Sequence, residues 1–199
     1  VKESKEECNK LFAGDAIMYD DDYSGPYLKK FAIPFWRGEI NDWDSKKEQL
    51  WQIFDKFKKN LVEGDQLSDY DSNRQYHFLL EGILMDDLIR VKKDFGYGDK
   101  QLRINSAWFQ QYEKKHTHYV HNHGFGGFSS VLYLKFDPEH HQPTVFVAPY
   151  VSNMDGNVLE YIPEGVTEGT LIVFPTSLAH YVPVNRSEES RVILSMNIN

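Results

Sequence analysis

The stretch His116-Thr117-His118-Tyr119-Val120-His121-Asn122-His123 holds four of the eight histidines in the chain. Neutral imidazole is the commonest protein ligand for divalent iron, copper or zinc. If the stretch is extended, alternation puts His121 and His123 on one face, close enough to share an ion. His116 and His118 form a second pair, which the odd offset turns to the opposite face unless a bulge intervenes. An ion needs at least a third ligand, and His180 is best placed to supply it. It follows Gly169-Thr170-Leu171-Ile172-Val173-Phe174-Pro175, an apolar strand running into a Pro-marked turn. Two ligands from one strand and one from a distant strand build a facial site with open positions, which suits metal-dependent oxygen chemistry.

Arg191 heads the last strand, Arg191-Val192-Ile193-Leu194-Ser195-Met196-Asn197. Alternation sends Arg191, Ile193, Ser195 and Asn197 to one face, so an otherwise apolar strand carries a guanidinium and a hydroxyl inward. A buried guanidinium requires an anion, and its fork matches a carboxylate. Neighbouring strands offer no obvious acidic partner, which leaves the place to a carboxylate ligand. The plainer reading, a salt bridge to Glu188 or Glu189, would contribute little because those neighbours are exposed.

A single histidine on a strand is more often a core or surface group than a ligand, and it is the joint pattern with His180 and Arg191 that sets His121 apart. His116 and His118 read as residues behind the ligands or at the surface, and His140-His141 as a solvated turn after Asp137-Pro138-Glu139. His77 falls in a helix without a partner ligand. Gly124-Phe125-Gly126-Gly127 lacks the Lys-Ser/Thr and helix of a phosphate loop, so it reads as a hairpin or a flexible active-site loop. Trp108, Phe109 and Tyr112 read as core rather than substrate platform.

The positioning elements come in two textures. From Ser45 to about Val62, Leu50, Ile53, Phe54, Phe57 and Leu61 recur at helical spacing, with Gly64 available as a left-handed stop. A second helix is expected from Ser72 to about Phe95, with Tyr76, Leu79, Leu80, Ile83, Leu84, Leu88 and Val91 on one side and Asp71 or Ser72 as cap. Before them, Tyr27 to Trp36, interrupted by Pro34, reads as an edge strand or extended arm that could pair with another subunit in a homodimer. After Lys100 the period shifts to two, and strands are expected near 103–112, 115–121, 128–136, 144–149, 157–162, 169–174 and 190–198. Short strands after two helices predict a mainly β fold, a sandwich or small barrel with flanking helices.

The chain has 199 residues, a formal net charge of -8 and one cysteine, Cys8. That length gives one domain, 1–199, with a core that needs no disulfide or structural metal, so any metal is functional. An acidic chain disfavours nucleic-acid or anionic-membrane partners. A lone cysteine, no apolar run near the roughly 18 residues that span a bilayer, and no signal peptide at the start of the sequence point to a reducing cytoplasm.

The second half, about residues 103–198, resembles the Fe(II)- and 2-oxoglutarate-dependent oxygenases, and more closely a bacterial and phage branch related to prolyl hydroxylases. The matching segments are Ala107-Trp108, His121-Asn122-His123-Gly124, Phe128-Ser129-Ser130-Val131-Leu132-Tyr133-Leu134, Gly169 through Pro175 with His180, and Arg191 through Asn197. The resemblance implies a double-stranded β-helix (jelly-roll, cupin-like) core over 101–199, with residues 1–100 as arm and buttressing helices. It implies iron held by His121, His123 and His180, and 2-oxoglutarate chelated through its C1 carboxylate and keto oxygen. The far carboxylate would rest on Arg191, with added hydrogen bonds from Ser195 and Tyr133. O2 would be the second co-substrate, and oxidative decarboxylation to succinate would be coupled to C–H oxidation, usually hydroxylation, in the host cytoplasm if the protein is phage-encoded.

One departure is plain: the superfamily has Asp or Glu two residues after the first His, where this chain has His123. His123 either ligates in a three-His site, the preferred reading, or points away and leaves its place to water, or marks a site that binds metal without turnover. A cupin-like metal-binding or sensory module and a three-His dioxygenase without 2-oxoglutarate are the alternatives in function. Arg191 discriminates, since only the first reading needs a buried cation for a diacid. The substrate, small or peptidyl, depends on loops near 20–37, 124–128 and 150–157, whose sequence does not name it.

Overall fold

The computed structural model describes residues 33–72, 75–96 and 101–199. Cys8, the acidic run Asp20-Asp21-Asp22 and residues 27–32 of the expected arm lie outside them. Eight strands follow the helices: β4 (Ile104–Tyr112), β5 (His118–His121), β6 (Phe128–Lys135), β7 (Val145–Val151), β8 (Val158–Tyr161), β9 (Thr170–Pro175), β10 (His180–Val182) and β11 (Arg191–Ile198). Ahead of them lie β1 (Trp36–Glu39), α1 (Trp43–Phe57), a 3-10 turn, the short pair β2 (Val62–Glu63) and β3 (Leu67–Ser68), and α2 (His77–Asp94).

The strands form two antiparallel sheets, β1-β9-β6-β11-β4-β3-β2 and β5-β10-β7-β8. This is the mainly β, double-stranded β-helix architecture with two helices on one side. Strand alternation on β11 explains how it holds together. Val192, Leu194, Met196 and Ile198 join the core under the helices, while Ile193 joins a second core between the sheets. The same division sends Leu132 and Leu171 one way and Tyr133 and Ile172 the other.

Leu50, Ile53 and Phe54 of α1 and Leu80, Leu84, Leu88 and Val91 of α2 bury against that outer face. Each such side chain contributes roughly 1.5–3 kcal/mol when fully buried. The two helices are also tied by charge, since Lys46 Nζ reaches Asp87 Oδ2 at 2.7 Å and the Asn41 backbone N–H donates to Asp87 Oδ1 at 3.0 Å. The α1 start is pressed onto β9 at Gly169 (φ +85), where a Cβ would lie 2.8 Å from the Trp43 ring.

Four local expectations change. The first helix stops at Phe57, in a 3-10 turn rather than at Gly64, which instead sits in the β2–β3 turn. The second starts at His77, with Tyr76 as N-cap and no side-chain cap, because Ser72 Oγ donates to the Asp69 carbonyl instead. The edge strand begins at Trp36, beyond Pro34, and pairs with β9. His180 belongs to a strand of its own, β10, whose three residues are too few to show a period. Among the described residues no helix is long and apolar enough to cross a membrane.

Candidate active site

The smaller sheet sets the histidines. β5 and β10 pair with His180 opposite His121 and Val182 opposite His118, so three steps on β5 match two on β10. This bulge puts Tyr119 and Val120 both outward, 69% and 60% exposed, and returns His118 to the same side as His121. The bulge that the odd offset allowed for is present, and it sets His118 beside His121, the two rings stacking with centroids 3.9 Å apart.

His123 follows β5 and is held by its backbone N–H, which donates to the Thr176 carbonyl at 2.8 Å. Ligand atoms of His121, His123 and His180 all lie within 4.8 Å of one another, and no other such group of ligating side chains occurs among the described residues. His123 Nε2 and His180 Nε2 are 3.3 Å apart, near the spacing of two nitrogens each about 2.0–2.1 Å from one ion. The backbone fixes two tautomers. His121 Nδ1 sits 2.7 Å from the Tyr119 carbonyl and His180 Nδ1 2.9 Å from the Leu178 carbonyl. Each Nδ1–H donates there, so each Nε2 keeps its lone pair.

Burial holds these rings neutral. Desolvation, with repulsion from neighbouring imidazoles, brings His118 and His123 down to about 4 and His180 down to about 3, and burial lowers His121 as well. A neutral ring is the ligating form. Trp108 closes one side, its ring 5.3 Å from that of His123. The core reading of Trp108 therefore holds for its burial, and the structure adds a contact with the histidines.

Between the sheets runs a narrow gap lined by His118, His121, His123, His180, Gln110, Tyr112, Thr144 and Ser195, with about 10 Å³ of free volume. Side chains must part to admit a diacid there. Arg191, 2% exposed, lies against the Tyr112 ring at 4.7 Å and the Tyr133 ring at 5.8 Å. Its Nη1 donates to the Gln142 carbonyl, and its Nε and Nη2 have no partner among the described residues. Glu188 and Glu189 are taken by Lys114 and Lys135, so the salt-bridge reading fails. Burial lowers the Arg191 pKa, and Tyr133 and Tyr112 oppose that shift. A larger hollow of about 320 Å³ is lined by Arg191, Gln142, Asn185 and Arg186 together with His140 and His141, and not by His121, His123 or His180.

Two further orphans were not read from sequence. The hydroxyls of Tyr112 and Thr144 are buried without a partner among the described residues, like the Arg191 nitrogens. Tyr112 carries its period-two signal on β4, but Thr144 stands between Pro143 and Val145 at a strand edge, where nothing in the sequence marks it. Tyr133 sits beside Arg191, its hydroxyl accepting the Thr144 N–H at 3.0 Å. Ser195 stands at the histidine end of the gap, donating to Gln110 Oε1 at 2.8 Å. Of the remaining histidines, His140 is an exposed partner of Asp137, whereas His141 is buried and ties Asp137 to Glu189. The solvated-turn reading is corrected for His141.

Residues 106–197 match the model of a family of 2OG-Fe(II) oxygenases. Among curated proteins none matches. Solved structures share the fold. The non-haem alpha ketoglutarate dependent epimerase SnoN from nogalamycin biosynthesis aligns with TM-score 0.66 and 9% identity, covering 84% of this chain and 78% of its own. A prolyl-4-hydroxylase from Pseudomonas putida gives 0.54 and 16%, covering 84% and 92%. The collagen prolyl hydroxylase vCPH from Paramecium Bursaria Chlorella virus-1, solved with 2OG, gives 0.56 and 12%, covering 82% and 94%. Residues 106–197 are thus similar in sequence to the 2OG-Fe(II) oxygenases, and the chain shares the fold of solved members of that group.

Proposed function

We propose that this oxygenase is a hydroxylase that holds Fe(II) on His121, His123 and His180 and takes 2-oxoglutarate and O2 as co-substrates. The observation that carries the reading is a buried guanidinium with two nitrogens that have no partner among the described residues, in the sheet sandwich that gathers three neutral imidazoles. Iron, when bound with 2-oxoglutarate, supplies the O2 activation that protein side chains lack.

The chain's own residues do the rest. His121 and His180 present Nε2 lone pairs because backbone carbonyls occupy their Nδ1 protons. Arg191, Tyr112 and Thr144 offer unsatisfied donors to the far carboxylate of a diacid. Apolar Val131, Phe174 and Ile193 line the space between, limiting water around the reacting centre. Once the side chains of the narrow gap part, these groups suit an extended diacid, with its chelating end at the histidines. Phe125 and Met154, 94% and 95% exposed on loops 124–127 and 152–157, are available to contact a substrate, small or peptidyl.

Anaerobic Fe(II) titration with and without 2-oxoglutarate tests this. The visible metal-to-ligand charge-transfer band of the chelate is expected to appear with 2-oxoglutarate and to weaken at least 10-fold in apparent affinity in Arg191→Ala. Iron binding without a band would favour a three-His dioxygenase or a metal-binding module. In oxygen, succinate formation tied to an alcohol product would distinguish hydroxylation from epimerisation or ring closure.

A further inference from the structure

His118 is fixed in the opposite sense to its neighbours. Its Nδ1 lies 3.2 Å from Gln110 Nε2, and with the amide in this orientation the nitrogen donates, Nδ1 accepts and the ring proton sits on Nε2. The Gln110 amide is oriented at its other end by Ser195, whose hydroxyl donates to Oε1 at 2.8 Å. Gln110 and Ser195 are buried, 3% and 5% exposed, so water competes little with this chain. The stack on His121 sets the plane of the His118 ring beside the metal ligands, and both rings line the same gap. The histidine cluster therefore divides. His121 and His180 point lone pairs from Nε2, and His118 points a proton.

We propose that His118 is not a fourth metal ligand but a positioned hydrogen-bond donor, acting through Nε2–H on the carboxylate oxygen of 2-oxoglutarate next to the metal, with Gln110 and Ser195 as its positioning residues. The proposal rests on the 2-oxoglutarate reading above. Its physical basis is charge. A site with three neutral ligands contributes no carboxylate of its own, so the co-substrate carboxylate is the anion beside the ion. A neutral N–H donor orients that oxygen without adding charge.

Two measurements test it. In the Zn(II)-loaded protein labelled with 15N at histidine, long-range 15N–1H correlation is expected to show His118 protonated at Nε2, and His121 and His180 at Nδ1. In Gln110→Glu, whose carboxylate accepts, His118 is expected to move its proton to Nδ1. An Nδ1-protonated His118 in the unaltered protein would overturn the assignment. The charge-transfer titration is then run on His118→Phe, which keeps a ring against His121. Fe(II) affinity is expected to stay within about 3-fold, because no ligand is lost, while 2-oxoglutarate affinity falls about 10-fold. Gln110→Glu should reproduce that fall, which covers the case in which His118→Phe does not fold. A parallel loss of Fe(II) would make His118 a ligand, and an unchanged 2-oxoglutarate affinity would make it packing only. Either result overturns the donor. No band even in the unaltered protein would instead remove the co-substrate reading, and the donor's target with it.

Discussion

Tyr112 and Thr144 keep hydroxyls buried without partners among the described residues, each at a cost of about 1–3 kcal/mol to the ligand-free fold. Such groups persist where something outside the protein satisfies them, and here they share the neighbourhood of the unpartnered Arg191 nitrogens. Tyr112→Phe removes the hydroxyl, and Thr144→Val replaces it with a methyl group of similar size. Both are expected to stabilise the ligand-free protein, by about 1 kcal/mol, and to weaken 2-oxoglutarate about 10-fold. Thermal melts with and without 2-oxoglutarate check the pair of signs. A lowered melting temperature with an unchanged ligand shift would assign these hydroxyls to packing.

At the scale of elements, the turn from β5 into β6 decides where His123 goes. Gly124, Gly126 and Gly127 all have positive φ, between +83 and +88. Only Gly127 is also crowded, since a Cβ there would meet the Ile198 carbonyl oxygen at 2.6 Å, whereas Gly126 faces open space. The turn is pinned on both sides of the glycines. His123 donates to the Thr176 carbonyl, and the Thr176 N–H donates to the Gly127 carbonyl at 3.3 Å. Gly126→Ala should cost about 1–2 kcal/mol from backbone conformation alone. Gly127→Ala should cost more and should also weaken Fe(II) binding, because moving residue 127 moves the Thr176 contact that places His123. Urea denaturation and metal titration of the two variants test this, and equal behaviour would remove the turn's role in ligand placement.

For the molecule as a whole, the buried histidines make stability depend on pH. His118 and His123 titrate near about 4 and His180 near about 3 in the folded state, against about 6.5 in an unfolded chain. Between those values the unfolded chain binds more protons, so stability is complete above about pH 6.5 and declines as pH falls toward 4. Metal-free protein is expected to unfold at lower urea at pH 5 than at pH 7. Bound Zn(II) should steepen the dependence, because the ion competes with protons for the same nitrogens. A flat profile between pH 5 and 7 would show that these rings are solvated.

The sequence by itself determined what depends on local period and composition. The helical spacing of Leu50, Ile53 and Phe54 and the alternation of Val192, Leu194 and Met196 specify faces, and faces specify two helices flanking a β sandwich or small barrel. The grouping of His121, His123 and His180 and the inward Arg191 were legible for the same reason, since each sits at a defined place on a strand or just beyond one. Tertiary structure decided what depends on register and on chain segments distant in sequence. The bulge that brings His118 into the cluster is a mismatch between β5 and β10, and neither strand shows it alone. The placement of Ser195 on Gln110, and of Tyr133 and Tyr112 beside Arg191, is a matter of which strands are neighbours, here β11 between β4 and β6. Side chains on one face of a strand lie several ångströms apart along it. Sharing a face with Arg191 therefore did not bring Ser195 to the same partner, and only strand pairing set which groups meet.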